Sequence, residues 1–209
     1  MFIDDEKKII FVHNPKAAGS SIHVLLKDLY ELKGNDRSDP EPYIHHMSYQ
    51  QILNIKPDYH RYYSFAAVRN PWSRLLSGYM DFTQNRKHEY SGLIRYDEPL
   101  LSEYKDFKDF VMRIGEGKWI NDGNFLPQHI YTHTEDRAVD MILRVENIQA
   151  DMKVLMNKLG FKFYQHLFFT QHRPTNHGHY TEHYDEESAA EVAKLYAKDI
   201  ELFGYQYEK

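Results

Sequence analysis

Hydrophobic positions along this chain recur mainly at helical spacing. Four segments place apolar residues at i, i+3, i+4 and i+7, the pattern typical of amphipathic helices. Their apolar residues are Ile22/Leu25/Leu26/Leu29, Trp72/Leu75/Leu76/Tyr79, Phe107/Phe110/Val111/Ile114 and Met152/Leu155/Met156/Leu159. A fifth helix is predicted from about residue 186 to residue 203, with Asp185 as its N-cap. Gly160 and Gly204 are placed to end the last two of these helices.

Short β-like runs precede three of these helices, at residues 9–12, 64–68 and 139–145. The first two runs are largely apolar, as expected for parallel strands that are covered on both faces. The repeated order of strand, loop and helix predicts an α/β fold, with a P-loop-like, mainly parallel β-sheet flanked by helices. The length of 209 residues fits a single domain over 1–209. Ligands of such sheets bind beyond the carboxyl ends of the strands, so loops 14–21 and 69–73 should share one edge.

Composition narrows the classes of function. The chain has no cysteine, which excludes disulfides and thiolate metal sites. It shows no apolar run typical of a secretion signal or a membrane span, so we expect a cytoplasmic protein without stable membrane insertion. A net charge of −5 argues against a nucleic-acid partner. Any anion site must therefore be a local group of positive residues in an acidic chain.

The first loop, "NPKAAGSS" at residues 14–21, carries groups that can bind phosphate. Lys16 supplies a charge, Gly19 allows close backbone approach, and Ser20 and Ser21 supply hydroxyls where a helix begins. Helix N-termini offer unpaired N–H groups and a positive dipole end to such an anion. The spacing of a Walker A motif is absent. Taken alone, the loop is equally consistent with an ordinary structural turn.

The second loop, "VRNPWSRLLSGY" at residues 68–79, adds a further anion-binding group. Arg69 leaves a strand end and suits bidentate anion binding. Pro71 is expected to start the helix, and Ser77 is expected two turns later on its exposed side. Arg74 is a weaker candidate for the anion site, since its position on the helix favours solvent or an acidic neighbour. Two such loops on one edge suggest a ligand with two separate phosphates.

The paired motifs "HNPKAAGSS" and "FAAVRNPWSRLLSGY" resemble the nucleotide-binding motifs of the carbohydrate-type sulfotransferases. The resemblance is closest to compact bacterial members and extends more distantly to the uronyl and heparan 2-O-sulfotransferases. It continues through "NFLPQ", "LRVENIQADMKVLMNKLGF" and "YDEESAAEVAKLYAKDIELFGY". It implies transfer of a sulfuryl group from 3′-phosphoadenosine 5′-phosphosulfate (PAPS) to a hydroxyl of a small-molecule or glycan acceptor. The expected acceptor is a carbohydrate or glycolipid. The product would be adenosine 3′,5′-bisphosphate, and no metal is required.

The resemblance also implies roles for individual residues. The 5′-phosphosulfate would be bound by the first loop, and Lys16 would also stabilise the charge that grows on the leaving oxygen. Arg69 and Ser77 would bind the 3′-phosphate, and Arg173 is a further candidate for the nucleotide. The proposed members of the first loop are Pro15, Lys16, Ala18, Gly19, Ser20 and Ser21.

The acceptor hydroxyl needs a base, and histidine suits that role. His46 matches the place of the base histidine in the 2-O-sulfotransferases, and its neighbour His45 stays open as an alternative. Asn124 stands where many bacterial relatives have a histidine. Further candidates on the acceptor side are Gln128 and His129.

Two alternatives to an active sulfotransferase remain at this point. The Asn124 departure keeps open a nucleotide-binding pseudoenzyme. A P-loop-type kinase is disfavoured, because the Walker A motif is missing and no strand-end aspartate suited to Mg²⁺ is evident. Histidine spacings such as His129/His133 and His177/His179/His183 lack the partner residues of common metal motifs, so no metal site is predicted. The sequence identifies neither the acceptor nor the oligomeric state.

Overall fold

The computed structural model describes residues 1–29, 46–85, 89–90, 94–95, 99–161 and 178–208. The chain divides into two compact units. The first comprises Met1–Arg69 and Gln128–Arg173, and the second comprises Asn70–Pro127 and Pro174–Lys209. Within the described ranges, no helix combines the length and apolar character needed to cross a bilayer.

A four-stranded, mostly parallel sheet organises the first unit. Its strands are β1 (Phe2–Asp4), β2 (Ile9–Val12), β3 (Tyr63–Val68) and β6 (Met141–Arg144). In the order β1-β2-β3-β6, β1 runs antiparallel to β2, and both β2 and β6 run parallel to β3. Val12 pairs with Ala66, and Val68 pairs with Arg144. The predicted mainly parallel sheet is therefore confirmed, and β2, β3 and β6 end at the same edge.

Apolar side chains from this sheet pack against the helices of the first unit. Phe11 and Phe65 stack across β2 and β3 with ring centroids 5.3 Å apart. Both side chains are fully buried together with Ile22 and Leu26 of the first helix. The helices are α1 (Gly19–Leu29), α2 (Tyr49–Ile55), α5 (His129–Thr132) and α6 (Ile148–Lys158).

The second unit is built mainly from helices around an aromatic core. Phe82, Phe110 and Phe125 lie at its centre and are fully buried. A π-helical turn, Asp81–Asn85, follows the helix Pro71–Met80. Two short strands, β4 (Glu89–Tyr90) and β5 (Ile94–Arg95), pair antiparallel. The α-helices are α3 (Pro71–Met80), α4 (Phe107–Arg113), α7 (Glu186–Leu195) and α8 (Ala197–Phe203).

The helix predicted over 186–203 is divided in two at Tyr196. The Tyr196 backbone has φ −113° and ψ 27°, and its phenol donates to the Phe125 carbonyl oxygen at 2.7 Å. Asp185 does cap α7, and Gly204 ends α8 in the left-handed region at φ 64°. Sequence analysis missed α2, although Ser48 and Gln51 form a capping box at its start.

Single-turn 3₁₀ segments join several of these elements. They are Pro57–Arg61, Ile114–Glu116, Lys118–Asn121, Val145–Asn147 and Tyr180–His183.

The amino end of β3 is fixed by Asp140. The Asp140 carboxylate accepts hydrogen bonds from both the backbone N–H and the hydroxyl of Ser64, each at 2.8 Å. Ser64 is fully buried, so its amide has no access to solvent as a substitute partner. This contact lies at the edge of the sheet opposite to the loops that follow β2 and β3.

We expect Asp140→Ala to lower the free energy of unfolding by about 1–3 kcal/mol, because it leaves the buried Ser64 amide unpaired. Urea denaturation measures the change. Glu135→Ala, at an exposed position nearby, is the control and should change stability by at most about 0.5 kcal/mol. Equal effects of the two substitutions would contradict the role given to Asp140.

Candidate active site

The loop between β2 and α1 has an unusual backbone. Lys16 and Ala18 adopt left-handed conformations, with φ 64° and 58°, although neither residue is glycine. Left-handed residues in a tight loop turn successive N–H groups toward a common concave side, an arrangement that binds anions. Ile22 N–H donates to the Ala18 carbonyl at 3.2 Å and closes the first turn of α1. The left-handed residues and the start of α1 are therefore two local features that suit an anion.

The residues of this loop that are predicted to bind the phosphosulfate differ in their exposure to solvent. Pro15 and Gly19 are buried, whereas Lys16, Ala18 and Ser21 are partly exposed. The Ser20 side chain is exposed to solvent. Lys16 and the two serines are thus accessible to solvent, whereas Pro15 and Gly19 are packed in the interior.

His13 is a residue of this site that sequence analysis missed. It follows β2 directly, is only 8% exposed, and stacks on Phe11 with ring centroids 5.9 Å apart. A Cβ atom on Gly19 would overlap the His13 imidazole ring. Gly19 is therefore required because His13 occupies the space of a side chain. The signal in the sequence was an aromatic, polar residue placed immediately before the loop.

The candidate base His46 lies against His13. The two imidazole rings meet edge to face, with centroids 4.6 Å apart. Nδ1 of the exposed His46 lies 3.3 Å from the His13 carbonyl oxygen. A carbonyl can only accept, so a hydrogen bond at this contact uses a proton on Nδ1, and the neutral ring then carries its lone pair on Nε2. That neutral tautomer is the one in which Nε2 is the basic nitrogen.

The loop after β3 begins at Arg69, which is partly exposed. Its backbone is held on both sides by one buried side chain, that of Gln128. Gln128 Oε1 accepts from the Arg69 N–H at 2.9 Å, and Gln128 Nε2 donates to the Arg69 carbonyl at 2.8 Å. Gln128 is fully buried.

Asn14 connects the first loop to the same amide. Asn14 Nδ2 donates to the Ala67 carbonyl at 2.9 Å and to Gln128 Oε1 at 3.0 Å. Asn14 is 1% exposed and stands two residues before Lys16. The starts of the two predicted anion-binding loops are thus connected by side-chain amides within the first unit.

In the second unit, Ser77 is predicted to bind the 3′-phosphate from the exposed side of its helix. Ser77 is 4% exposed, so the expectation that it lies on an exposed side of its helix is wrong. The physical reason is that α3 has no solvent-facing stripe at this level, because buried residues surround Ser77 on the helix. Those residues are Pro71, Trp72, Arg74, Leu75, Leu76 and Gly78.

Arg74 is also buried, at 2% exposure, which excludes the solvent-facing alternative. Arg74 and Asp199 both lie close enough to Tyr196 to affect its phenol. Burial raises the pKa of the Tyr196 phenol above its usual range; the Arg74 charge opposes that rise and the Asp199 charge adds to it. Arg74 therefore belongs to the buried polar residues of the second unit.

Asn124 has a local partner. Its backbone N–H and its Nδ2 both donate to Asp122 Oδ1, each at 2.9 Å, and its side chain is mostly buried.

His129 begins α5 and is partly exposed. His45, Arg173 and His177 lie outside the described residues. Among the described residues, no group of three or more histidine, aspartate or glutamate side chains is arranged to hold a metal ion.

Comparison with known proteins identifies the class that this sheet and these loops define. Residues 1–206 match the sulfotransferase family, so the chain belongs to that family. Among curated proteins it is similar to carbohydrate sulfotransferase 10 of Mus musculus, with 25% identity over 241 aligned positions. That alignment covers 99% of this chain and 67% of the mouse protein. The carbohydrate sulfotransferase 10 of Homo sapiens is 26% identical over 244 positions, with the same coverage.

We expect Gly19→Ala to lower the free energy of unfolding by about 1–3 kcal/mol, because the added methyl group displaces the buried His13 ring. Thermal denaturation measures the loss, and imidazole NMR signals should shift for His13 and His46. The control is Ala18→Gly at the preceding residue, where glycine removes the strain of a left-handed alanine. Its stability should be unchanged or raised by up to about 1 kcal/mol. Full tolerance of Gly19→Ala would contradict the packing argument.

Proposed function

We propose that this member of the sulfotransferase family transfers the sulfuryl group of PAPS to a hydroxyl of a carbohydrate or glycolipid. The observation that carries the proposal is the pair of loops that leave adjacent parallel strands and are joined through Asn14 and Gln128. A donor with phosphate groups at both its 5′ and 3′ positions suits two such loops. The carbohydrate acceptor is suggested by the names of the relatives.

The first loop suits the 5′-phosphosulfate end of the donor. The left-handed backbone at Lys16 and Ala18 and the start of α1 favour an anion, and Lys16 adds a mobile positive charge. Arg69 suits the 3′-phosphate because its guanidinium can bind two oxygens at once. Ser77 is assigned to the same phosphate on the basis of the sequence resemblance.

In the proposed reaction, the acceptor oxygen attacks sulfur in line with the bond to the 5′-phosphate oxygen. A new O–S bond forms, the bridging S–O bond breaks, and both electrons of that bond remain on the phosphate of adenosine 3′,5′-bisphosphate. The acceptor proton goes to His46 Nε2, the basic nitrogen of the neutral ring when Nδ1 donates to the His13 carbonyl. Lys16 and the loop N–H groups stabilise the charge on the leaving oxygen. Positioning and charge stabilisation supply most of the rate in such transfers.

Calorimetric titration tests the donor directly. We expect adenosine 3′,5′-bisphosphate to bind without added metal, and Lys16→Ala to weaken that binding about 10–100-fold through loss of a charge-assisted contact. ATP, with and without Mg²⁺, is the comparison ligand. A clear preference for Mg–ATP would contradict the proposal and favour a kinase. Tight binding of the bisphosphate with no transfer to any hydroxyl acceptor would favour a pseudoenzyme.

A second test concerns the base. His46→Ala should lower the rate of sulfuryl transfer from PAPS about 10²–10⁴-fold, because proton transfer to a positioned base contributes that much. Affinity for adenosine 3′,5′-bisphosphate should stay within about threefold, since the base contacts the acceptor. His60→Ala, which removes another exposed histidine of the first unit, is the control and should retain full activity. The acceptor for these assays is found first by screening sugars, phenols and lipids with labelled donor. The assignment of His46 as the base is wrong if both variants transfer sulfate at the wild-type rate.

A further inference from the structure

We propose that Gln128 is a positioning residue for the donor nucleotide, and that it sets the separation of the two phosphate-binding loops. The inference rests on the proposed function. Sequence analysis placed Gln128 on the acceptor side of the site, whereas the structure shows a fully buried amide. A side chain so enclosed acts through the groups it bonds, and Arg69 and Asn14 are among them.

The contacts of Gln128 match its donor and acceptor atoms one by one. Oε1 accepts from the Arg69 N–H and from Asn14 Nδ2, at 2.9 and 3.0 Å. Nε2 donates to the Arg69 carbonyl at 2.8 Å. No other side chain of similar size offers this pair: glutamate would face the Arg69 carbonyl with a second acceptor, methionine would make none of these bonds, and asparagine is one methylene shorter.

The connection continues from Gln128 to the first loop. Asn14 uses the same Nδ2 to bond the Ala67 carbonyl of β3 at 2.9 Å, so it joins the end of β2 to β3 as well as to Gln128. Pro15 follows Asn14 immediately and is buried, which restricts the chain that leads to Lys16. The positions at which the two loops begin are therefore fixed relative to each other by one buried group.

A ligand that contacts both loops depends on this separation, and a ligand that contacts one loop does not. Adenosine 3′,5′-bisphosphate carries phosphates for both loops, whereas adenosine 5′-monophosphate carries only the phosphate for the first. Loss of the Gln128 bonds should therefore reduce the preference for the bisphosphate rather than the affinity for all nucleotides. A purely structural role would instead lower the melting temperature and leave the preference of the folded protein unchanged.

The experiment compares both nucleotides by calorimetry in wild type, Gln128→Met and Asn14→Ala, below the melting temperature of each. Gln128→Met keeps the side-chain length and removes every hydrogen bond. It should weaken bisphosphate binding about 10–100-fold, since small displacements at such sites have effects of that order, and monophosphate binding less than about threefold. Asn14→Ala should change the preference in the same direction, and it carries the comparison if Gln128→Met does not fold. Gln50→Met, at an exposed glutamine of α2 that bonds Asn54, is the control and should change neither affinity.

Hydrogen exchange provides a readout without any ligand. The Arg69 amide should exchange faster in Gln128→Met than in Gln50→Met, because its acceptor is lost. Wild-type binding with an unchanged bisphosphate preference in both test variants would overturn the inference alone. Wild-type protein that binds neither nucleotide would overturn the proposed function, and the inference with it.

Discussion

The side-chain amide of Gln128 bonds the N–H and the carbonyl of Arg69 and accepts a hydrogen bond from Asn14, entirely out of contact with solvent. Parallel pairing of β2 with β3 brings the two loops to one edge of the sheet, but pairing alone does not fix how each chain leaves its strand. The buried amides do so, because each unmade bond would cost about 1–3 kcal/mol. The geometry of the candidate nucleotide site follows from that constraint.

The anion affinity proposed for the first loop requires little net charge. The chain carries a net charge of −5, and the loop itself contributes one lysine. In the proposed site, backbone N–H groups take the place of further cations. Two residues of the loop, Lys16 and Ala18, are left-handed, which costs about 1–2 kcal/mol for each. Burial of Ala17 and packing of His13 against Gly19 hold that backbone in place. Strain held by surrounding packing is common where a site must be formed before its ligand arrives.

Local patterns predicted most of the elements that carry the site. Apolar runs gave β2 and β3 to within one residue, and Pro71 does begin α3 as expected. The Ser48–Gln51 capping box was a signal that could have revealed α2. The break at Tyr196 was not predictable, because it depends on the Phe125 carbonyl, 71 residues away along the chain.

The side chains of the site were harder to place, since burial depends on tertiary contacts. A glutamine such as Gln128 can lie on a surface or in a core, and only its contacts with Asn14 and Arg69 show that it holds the two loops. The sequence predicts an exposed Ser77, yet Gly78 beside it packs on Phe125, and the residues around Ser77 on the helix are buried. The role of His13 likewise depends on Gly19, which faces its ring.

A crystal structure with adenosine 3′,5′-bisphosphate tests the central claim most directly. The account predicts the 5′-phosphate against the N–H groups of residues 16–21 and the 3′-phosphate at the Arg69 guanidinium, with the Gln128 bonds unchanged. A nucleotide bound with both phosphates away from one of these loops would contradict it.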